Sequence, residues 1–367
     1  MRTINKEDNT MGKWENGIYG FIPEAEWLNT EFNPTRQNDP IDGLLGDLKT
    51  DNLMAQWQTI AAEYQIPMMA KFHGFDTESQ TTFRTPVDTH NIEKGLIKVK
   101  MNQSERLRAL TRAGVREDAL YDYVLNDGIR LADQVITRSK VAKNELLATG
   151  KVTIKENNLD LTVDYGVPAA QTSLEIDFGA GQDVPAQIQA IIDQALANGV
   201  TLTGIVTSRA ILSKMRSNAS VQKAINGNIG IGAQVRMSAL TAWLEEEYGI
   251  VNVITNDLTY GADATIDSNG LPQITNARYF PANKITFFAP APSGRLGVGL
   301  WGDPPEVDLS NLITGNTNEV SPYVYVSQYA EKDPAVLWTK ASALFMPVLY
   351  NPSSLYIATT KETASEG

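Results

Sequence analysis

From about Ser104 to Thr149 the chain keeps a helical period, and at Gly150 it switches at once to a period of two. Leu120, Val124, Gly128, Leu131 and Val135 follow one another at spacings of three and four, with Tyr123 and Ile136 beside them. A helix of roughly 30 residues extends about 45 Å, well beyond the usual length of about 11 residues. No heptad is sustained along it, so the pattern predicts a strut and not a coiled coil. Gly114 and Gly128 allow a bend, and Gly150 supplies the left-handed residue that ends helices. Beyond Gly150, Val152 and Ile154 alternate with Lys151, Thr153 and Lys155. Leu159, Leu161, Val163 and Tyr165 then alternate with Asp160, Thr162 and Asp164, and Glu156, Asn157 and Asn158 form a polar turn between the runs. This is a hairpin with one buried face. Nothing catalytic lies on it, and a lone two-stranded ribbon is marginal in water, so Val152, Ile154, Leu161 and Val163 need a partner surface.

The flanking segments divide by pattern. The first fifty residues are rich in Asn, Asp, Gly and Pro, with aromatics at Trp14, Tyr19, Phe21, Trp27 and Phe32. Too aperiodic to fold alone, they read as an arm packed either on its own body or on a neighbour. "DNLMAQWQTIAAEY", Asp51 to Tyr64, reads as a short helix capped by Asp51. Gln65 to Gln103 has no helical period; Ile97, Val99 and Met101 alternate with Lys98, Lys100 and Asn102, and Pro86 and Gly95 punctuate it. It reads as an extended two-stranded loop, a length that implies a function of its own.

From Asp183 to Pro290 helices alternate with strands. Asp183 caps a first helix that has Pro185 in its first turn and Gly199 as its stop, with a stripe of Ile188, Ile191, Ile192, Ala195 and Leu196. "TLTGIVTS" is a buried strand, Ser208 caps a helix through Met215, and "SALTAWLEEEYG" is a helix stopped by Gly249. "IVNVIT", a turn at Asn269-Gly270 and "KITFFA" complete an α/β unit. The remainder is strand-rich: Tyr323, Tyr325 and Ser327 alternate with Val324, Val326 and Gln328. "AVLWTKASALFMPVLY" and "SLYIATT" add further strands, with Pro347 and Pro352 marking ends or edges before a frayed tail.

Chemistry is scarce. The chain has no cysteine, which excludes disulfides, thiolate zinc sites and cysteine nucleophiles. Its two histidines, His73 and His90, lie in the extended loop outside any catalytic pattern and read as exposed loop residues. "NGNIGIGA", Asn226 to Ala233, lacks both the Lys-Ser/Thr of a phosphate loop and the glycine order of a dinucleotide turn, and reads as a surface loop. Glu245 to Glu247 make a solvated helix end or a contact for a basic partner. Asp160, Asp164, Glu175 and Asp177 alternate or nearly alternate along strands, a spacing that alone makes no metal site. The Asp-Pro pairs at Asp303 and Asp333 are turn chemistry. A net charge of -12 argues against a general grip on nucleic acid, although an acidic wall suits a container. No run of about 18 apolar residues suggests a spanning helix, and the polar start lacks the apolar core of a secretory signal.

Three blocks, in order, carry a resemblance: "LLATGKVTIKENNLDLTVDYG", "FFAPAPSGRLGVGLWGDPPE" and "YAEKDPAVLWTKASALFMPVLYNPSSLYIAT". With the arm, loop and long helix ahead of them, they resemble the lambda major head protein (capsid E) family of tailed-bacteriophage major capsid proteins over nearly the whole chain. The resemblance implies an α+β fold of the Hong Kong 97 type. Its parts would be an N-terminal arm over 1–50, a short helix over 51–67, and an extended loop over 68–103. A peripheral domain with a spine helix and the hairpin would cover 104–182, an axial domain 183–290, and peripheral strands and the tail 291–367. The hairpin would then continue the peripheral sheet by pairing with the loop's base or the C-terminal strands.

The implied role is that of a structural protein, not an enzyme. It would be a homo-oligomeric head protein, made in the host cytoplasm and found in the virion, that assembles as hexamers and pentamers into an icosahedral shell around double-stranded DNA. It would enclose that DNA without sequence-specific binding. A separate scaffolding protein, a portal and a decoration protein are the implied partners; no catalytic, cofactor-binding, metal-ligating or cross-linking residue is assigned. A cellular nanocompartment of encapsulin type is the alternative with the same fold. An α/β hydrolase, a nucleotide-binding enzyme and a tail-tube or surface-layer polymer fit less well, for want of a nucleophile motif or because of the long helix. Copies that each carry -12 repel one another, so moderate salt should promote assembly. Ion pairs from Lys94, Lys98 and Lys100 to acidic neighbours would reverse that dependence.

Overall fold

The computed structural model describes residues 38–59, 69–70, 72, 75, 84, 88–103, 117–227, 232, 234–266, 272–309, 317–320, 323–332 and 335–362. Two sheets and one long helix organise them. After a 3-10 turn at Pro40–Gly43 come strands β1 (Leu45–Lys49), β2 (Met54–Thr59), β3 (Asp88–Glu93) and β4 (Gly95–Gln103), then helix α1 (Glu117–Thr149). The hairpin β5 (Lys151–Glu156) and β6 (Leu159–Asp164) leads to α2 (Ala169–Thr172) and β7 (Leu174–Asp177). Next are α3 (Val184–Ala197), β8 (Gly204–Thr207), α4 (Arg209–Ser217), α5 (Ala219–Asn226), α6 (Met237–Tyr248) and β9 (Asn252–Thr255). The hairpin β10 (Thr259–Ile266) and β11 (Pro272–Arg278) precedes β12 (Lys284–Phe288), β13 (Gly297–Gly302) and α7 (Glu306–Leu309). The chain closes through β14 (Thr317–Val320), β15 (Val324–Lys332), β16 (Ala335–Leu349) and β17 (Leu355–Lys361).

The first sheet runs β1-β13-β16-β15-β14, with β4 on the other edge of β16. Only the β1–β13 pairing in it is parallel. Helix α1 lies on this sheet and buries Leu131, Ala132, Val135, Leu146 and Leu147. It passes Gly128 without interruption. The part of the helical pattern before Glu117, and the side chains of Leu120, Tyr123 and Val124, lie outside the described residues. The second sheet runs β7-β17-β12-β8-β9. Its central strands β17, β12 and β8 are buried on both faces over most of their length, which gives near-continuous apolar runs in place of clean alternation. Ile205, Ile285, Phe287 and Tyr356 face a core shared with α3 to α6, while Val206, Phe288 and Leu355 face the core under α1.

The caps read from sequence at Gly150 and in the 183–290 segment are in place. The Asp183 carboxylate accepts from Ala186 N, and Ser208 Oγ accepts from Ile211 N. Gly150, Gly199 and Gly249 all have φ between +71° and +73°.

Three expectations need correction. The short helix expected over 51–67 is a strand where it is described: β2 pairs with β3, in register from Met54↔Glu93 to Thr59↔Asp88. Ala55 and Trp57 turn inward, and Trp57 stacks on His90 with ring centroids 5.3 Å apart. The partner strand decides here, and it lies too far along the chain to affect a local propensity. His90 is accordingly a half-buried strand residue, not an exposed loop residue; His73 lies outside the described residues.

Pro347 does not end β16, which runs through it opposite Gly299, but it stands on a local edge, because the pairing with β4 stops at Phe345. Its carbonyl accepts from Tyr165 Oη at 2.5 Å. Nitrogen and oxygen of one strand residue point to the same side, so the missing N–H faces that tyrosine beyond the end of β4, where no ladder bond is lost. The loop's return strand belongs to the first sheet. All of β4 pairs with β16, from Gly95↔Phe345 to Gln103↔Leu337.

Finally, among the described residues the hairpin does not continue a sheet; β5 and β6 pair only with each other. Asn157 and Asn158, at φ 49° and 64°, form its two-residue turn, which needs left-handed backbone at both positions. Val152 and Val163 face each other in register and are buried in the core beneath α1, together with Tyr165. Farther out, Ile154 is half-buried over Gly95 and Leu161 is exposed. Thr153 N donates to Glu145 Oε1 at 2.9 Å, which ties the ribbon back to the last turns of α1. Packing replaces pairing as its support.

Candidate assembly surfaces

Three polar junctions make the body rigid enough to present surfaces. Lys143, whose side chain is 2% exposed, reaches from α1 to Asp42 Oδ1 at 3.1 Å and Asp47 Oδ1 at 2.9 Å. Asp47 Oδ1 also accepts from Trp301 Nε1 at 2.7 Å. Gly299 leaves room for this cluster: a Cβ there would stand 2.6 Å from Asp47 Oδ1 and 2.9 Å from Lys143 Cε. At the second junction the buried Asp39 accepts from Ile41 N, Asn144 Nδ2 and Asn256 Nδ2. It thereby joins the entry to the described chain, α1, and the loop after β9. Burial raises its carboxyl above the ordinary range despite these donors.

The third junction is Glu306 on α7, which pairs with Lys340, with Lys98 at 3.3 Å, and with Ser342 Oγ at 3.2 Å. Burial raises its carboxyl, but the Lys340 hydrogen bond and the charges of Lys340 and Lys98 outweigh this, and the net value falls below the ordinary 4.5. A depressed carboxyl contributes stability that is complete above that ordinary value and lost as pH falls through the folded one. Glu306→Gln is therefore expected to cost about 1–2 kcal/mol at neutral pH and to flatten the acid limb of a plot of melting temperature against pH. Parallel acid limbs for parent and variant would refute this.

The loop lysines are all engaged within their own chain. Lys94 is buried and donates to Thr50 O, Thr50 Oγ1 and Trp301 O at 2.6–3.0 Å. Burial lowers its ammonium below the usual lysine range. Lys98 is held by Glu306, and Lys100 Nζ lies 4.0 Å from the Trp338 ring centroid. These residues are thus poor sources of ion pairs between copies, and sequence alone could not have found their partners.

Apolar exposure is concentrated elsewhere. Met69, Phe72 and Phe75 are 86%, 105% and 101% exposed. Three such side chains within seven positions are costly to leave in water, at about 1.5–3 kcal/mol each. Leu48, Leu53 and Met54 add exposed apolar surface around β1 and β2, and Leu159 adds it at the tip of the hairpin.

The carboxylates weighed as a metal set do not converge. Asp160 pairs with Lys155, Asp164 with Lys151 at 2.7 Å, and Glu175 with Lys361. Among the described residues no group of three or more Asp, Glu and His could hold a metal ion. In the glycine segment Gly232 N donates to Gln222 Oε1 at 2.7 Å, and most of its other residues lie outside the described ones. Glu245, Glu246 and Glu247 stand exposed at the end of α6.

Comparison with known families matches residues 70–360 to the model described as phage major capsid protein E. Comparison with curated proteins gives no match. Among solved structures, the chain is similar to a protein described as a prophage capsid protein of E. coli CFT073, at 11% identity and a TM-score of 0.52. That alignment covers 92% of this chain and 99% of the other. It is also similar to a phage-related protein of Bordetella bronchiseptica RB50, at 10% identity and a TM-score of 0.50, covering 91% and 96%. At such identities the likeness is one of fold, and the shared fold is that of phage capsid proteins.

Proposed function

We propose, from the premise that this chain belongs to the phage major capsid protein E family, that it tiles a phage head by laying its loop on neighbouring copies. The chain is a structural protein of the phage head, and its place is the virion capsid. A phage head family gives no support to the cellular nanocompartment alternative.

The finer reading assigns parts to this role. Hexamers and pentamers would form an icosahedral shell around double-stranded DNA, with 1–50 as arm, 68–103 as loop, and α1 as the spine of a peripheral domain. Residues 183–290 would be the axial domain. A scaffolding protein, a portal and a decoration protein would be the accessory partners. The observation that carries the loop's role is the full exposure of Met69, Phe72 and Phe75 beside a return strand zipped into the body's own sheet. A loop with a rigid base and an apolar tip is suited to burying that tip on another surface, and an interface of about 800 Å² per partner needs such anchors.

The test is negative-stain microscopy of the purified chain beside a Phe72→Ser, Phe75→Ser variant. The parent is expected to give closed shells. The variant is expected to remain folded, because both rings are exposed, and to assemble at least about tenfold less. Tubes or monodisperse monomers from the parent would overturn the shell reading, and unchanged assembly of the variant would overturn the role of the loop.

A further inference from the structure

We propose that the basic surface of α5 and the start of α6 meets the acidic end of α6 between copies, so that Lys223 on α5 and Arg236 before α6 of one copy face Glu245, Glu246 and Glu247 of the next. The contact rests on the shell reading and adds to it a charge-encoded neighbour.

The first observation is an imbalance. Between Arg209 and Arg236 lie five cations and no Asp or Glu, in a chain whose net charge is -12. Three of the five are occupied: Arg209 lies by Asp257, Lys214 pairs with Glu362 at 2.6 Å, and Arg216 Nε donates to Val235 O. Lys223 and Arg236 are exposed and make no ion pair among the described residues. Glu245, Glu246 and Glu247 are likewise exposed, with no ion pair among the described residues.

The second observation is the polarity of α6. A helix favours anions at its N-terminus and cations at its C-terminus. Here Arg236 is the N-cap and makes no side-chain cap bond, and there is no acid in the first turn. The three glutamates stand at the other end, with no base in the last turn. Both ends thus carry the sign that the backbone dipole disfavours. Some 15 Å of helix separates them, too far for one copy to pair them itself. A second copy can answer both at once, because it offers the carboxylates of its α6 to the cations, and its Arg236 with Lys223 of α5 to the carboxylates.

Such a contact joins two different patches. It is therefore heterologous, and repetition around an axis closes it into a ring. Complementary charge at such a contact mainly sets partner choice and register. Duplex nucleic acid is a weaker match for the basic end, because two free cations on an acidic protein give few phosphate contacts.

The experiment uses the full chain in three variants: Lys223→Glu with Arg236→Glu; Glu245→Lys with Glu246→Lys and Glu247→Lys; and all five together. Melting curves should match or slightly exceed the parent's, since all five side chains are exposed and reversal gives each end of α6 the sign its dipole favours. Assembly is followed at low salt by light scattering and microscopy. Each one-sided variant is expected to raise the concentration needed for assembly at least about tenfold, and the five-fold variant to return to near the parent's value. One-sided variants that assemble like the parent, or a five-fold variant worse than both, would overturn the contact while leaving the shell reading intact. A parent that forms no shells would sink the shell reading and this contact with it. A short duplex DNA retarded by the parent but not by the Lys223, Arg236 variant, with assembly unchanged, would reassign the basic end to nucleic acid and overturn the contact.

Discussion

Val163→Asp is expected to yield almost no soluble chain and no shells. Val163 is 4% exposed and faces Val152 across the hairpin. The ribbon has no sheet to hold it; Val152, Val163 and Tyr165 secure it by burial beneath α1. An aspartate there loses the apolar contact and must either bury an unpaired carboxylate or take up a proton. Together these cost roughly 4 kcal/mol or more, a large part of the 5–15 kcal/mol that typically separates folded from unfolded states. Leu161→Asp, on the same strand but at an exposed position, is the control, and it should leave the fold intact. Soluble yield and particle counts decide the matter; normal shells from Val163→Asp would mean that the hairpin is dispensable.

Lys143→Met is the second large effect expected. The side chains are similar in length, so little packing is lost, but Asp42 and Asp47 are left facing each other without the ammonium between them. Breaking a buried ion pair from one side costs about 3–5 kcal/mol, and the lower end applies here because both carboxylates keep some contact with water. The midpoint of urea unfolding should fall accordingly. Lys143→Met with Asp47→Asn should recover part of the loss, because the like-charge pair is gone. A double variant no better than the single one would show that the cost lies in packing.

Where the sequence could be read, neighbouring residues carried the signal. The hairpin followed from alternation around Asn157-Asn158, and α3, α4 and α6 from Asp183, Ser208 and Gly249. Where it could not, a distant partner decides. Residues 54–59 hold good helix formers behind a capping aspartate, yet β3 some thirty positions later makes them a strand. Pro347 is tolerated because of Tyr165, 182 positions away. The partners of Lys94, Lys98 and Lys100 come from the residue after β1 and from β13, α7 and β16. Among the surfaces, only the glutamate run of α6 was conspicuous in sequence, and its electrostatic meaning came from the unanswered cation at the other end of the same helix.

The order of the strands has a consequence for manufacture. The last two, β16 and β17, sit inside the two sheets, and β1 closes on β13 some 250 positions downstream. A ribosome that stalls before residue 335 releases a polypeptide with neither sheet complete, so both cores stay open. Pairing over such distances is slow and comes late. Open cores of this kind expose apolar surface to proteases and lack the finished sheets that the assembled form presents. The topology is in that sense a proofreading step, made before any two copies meet.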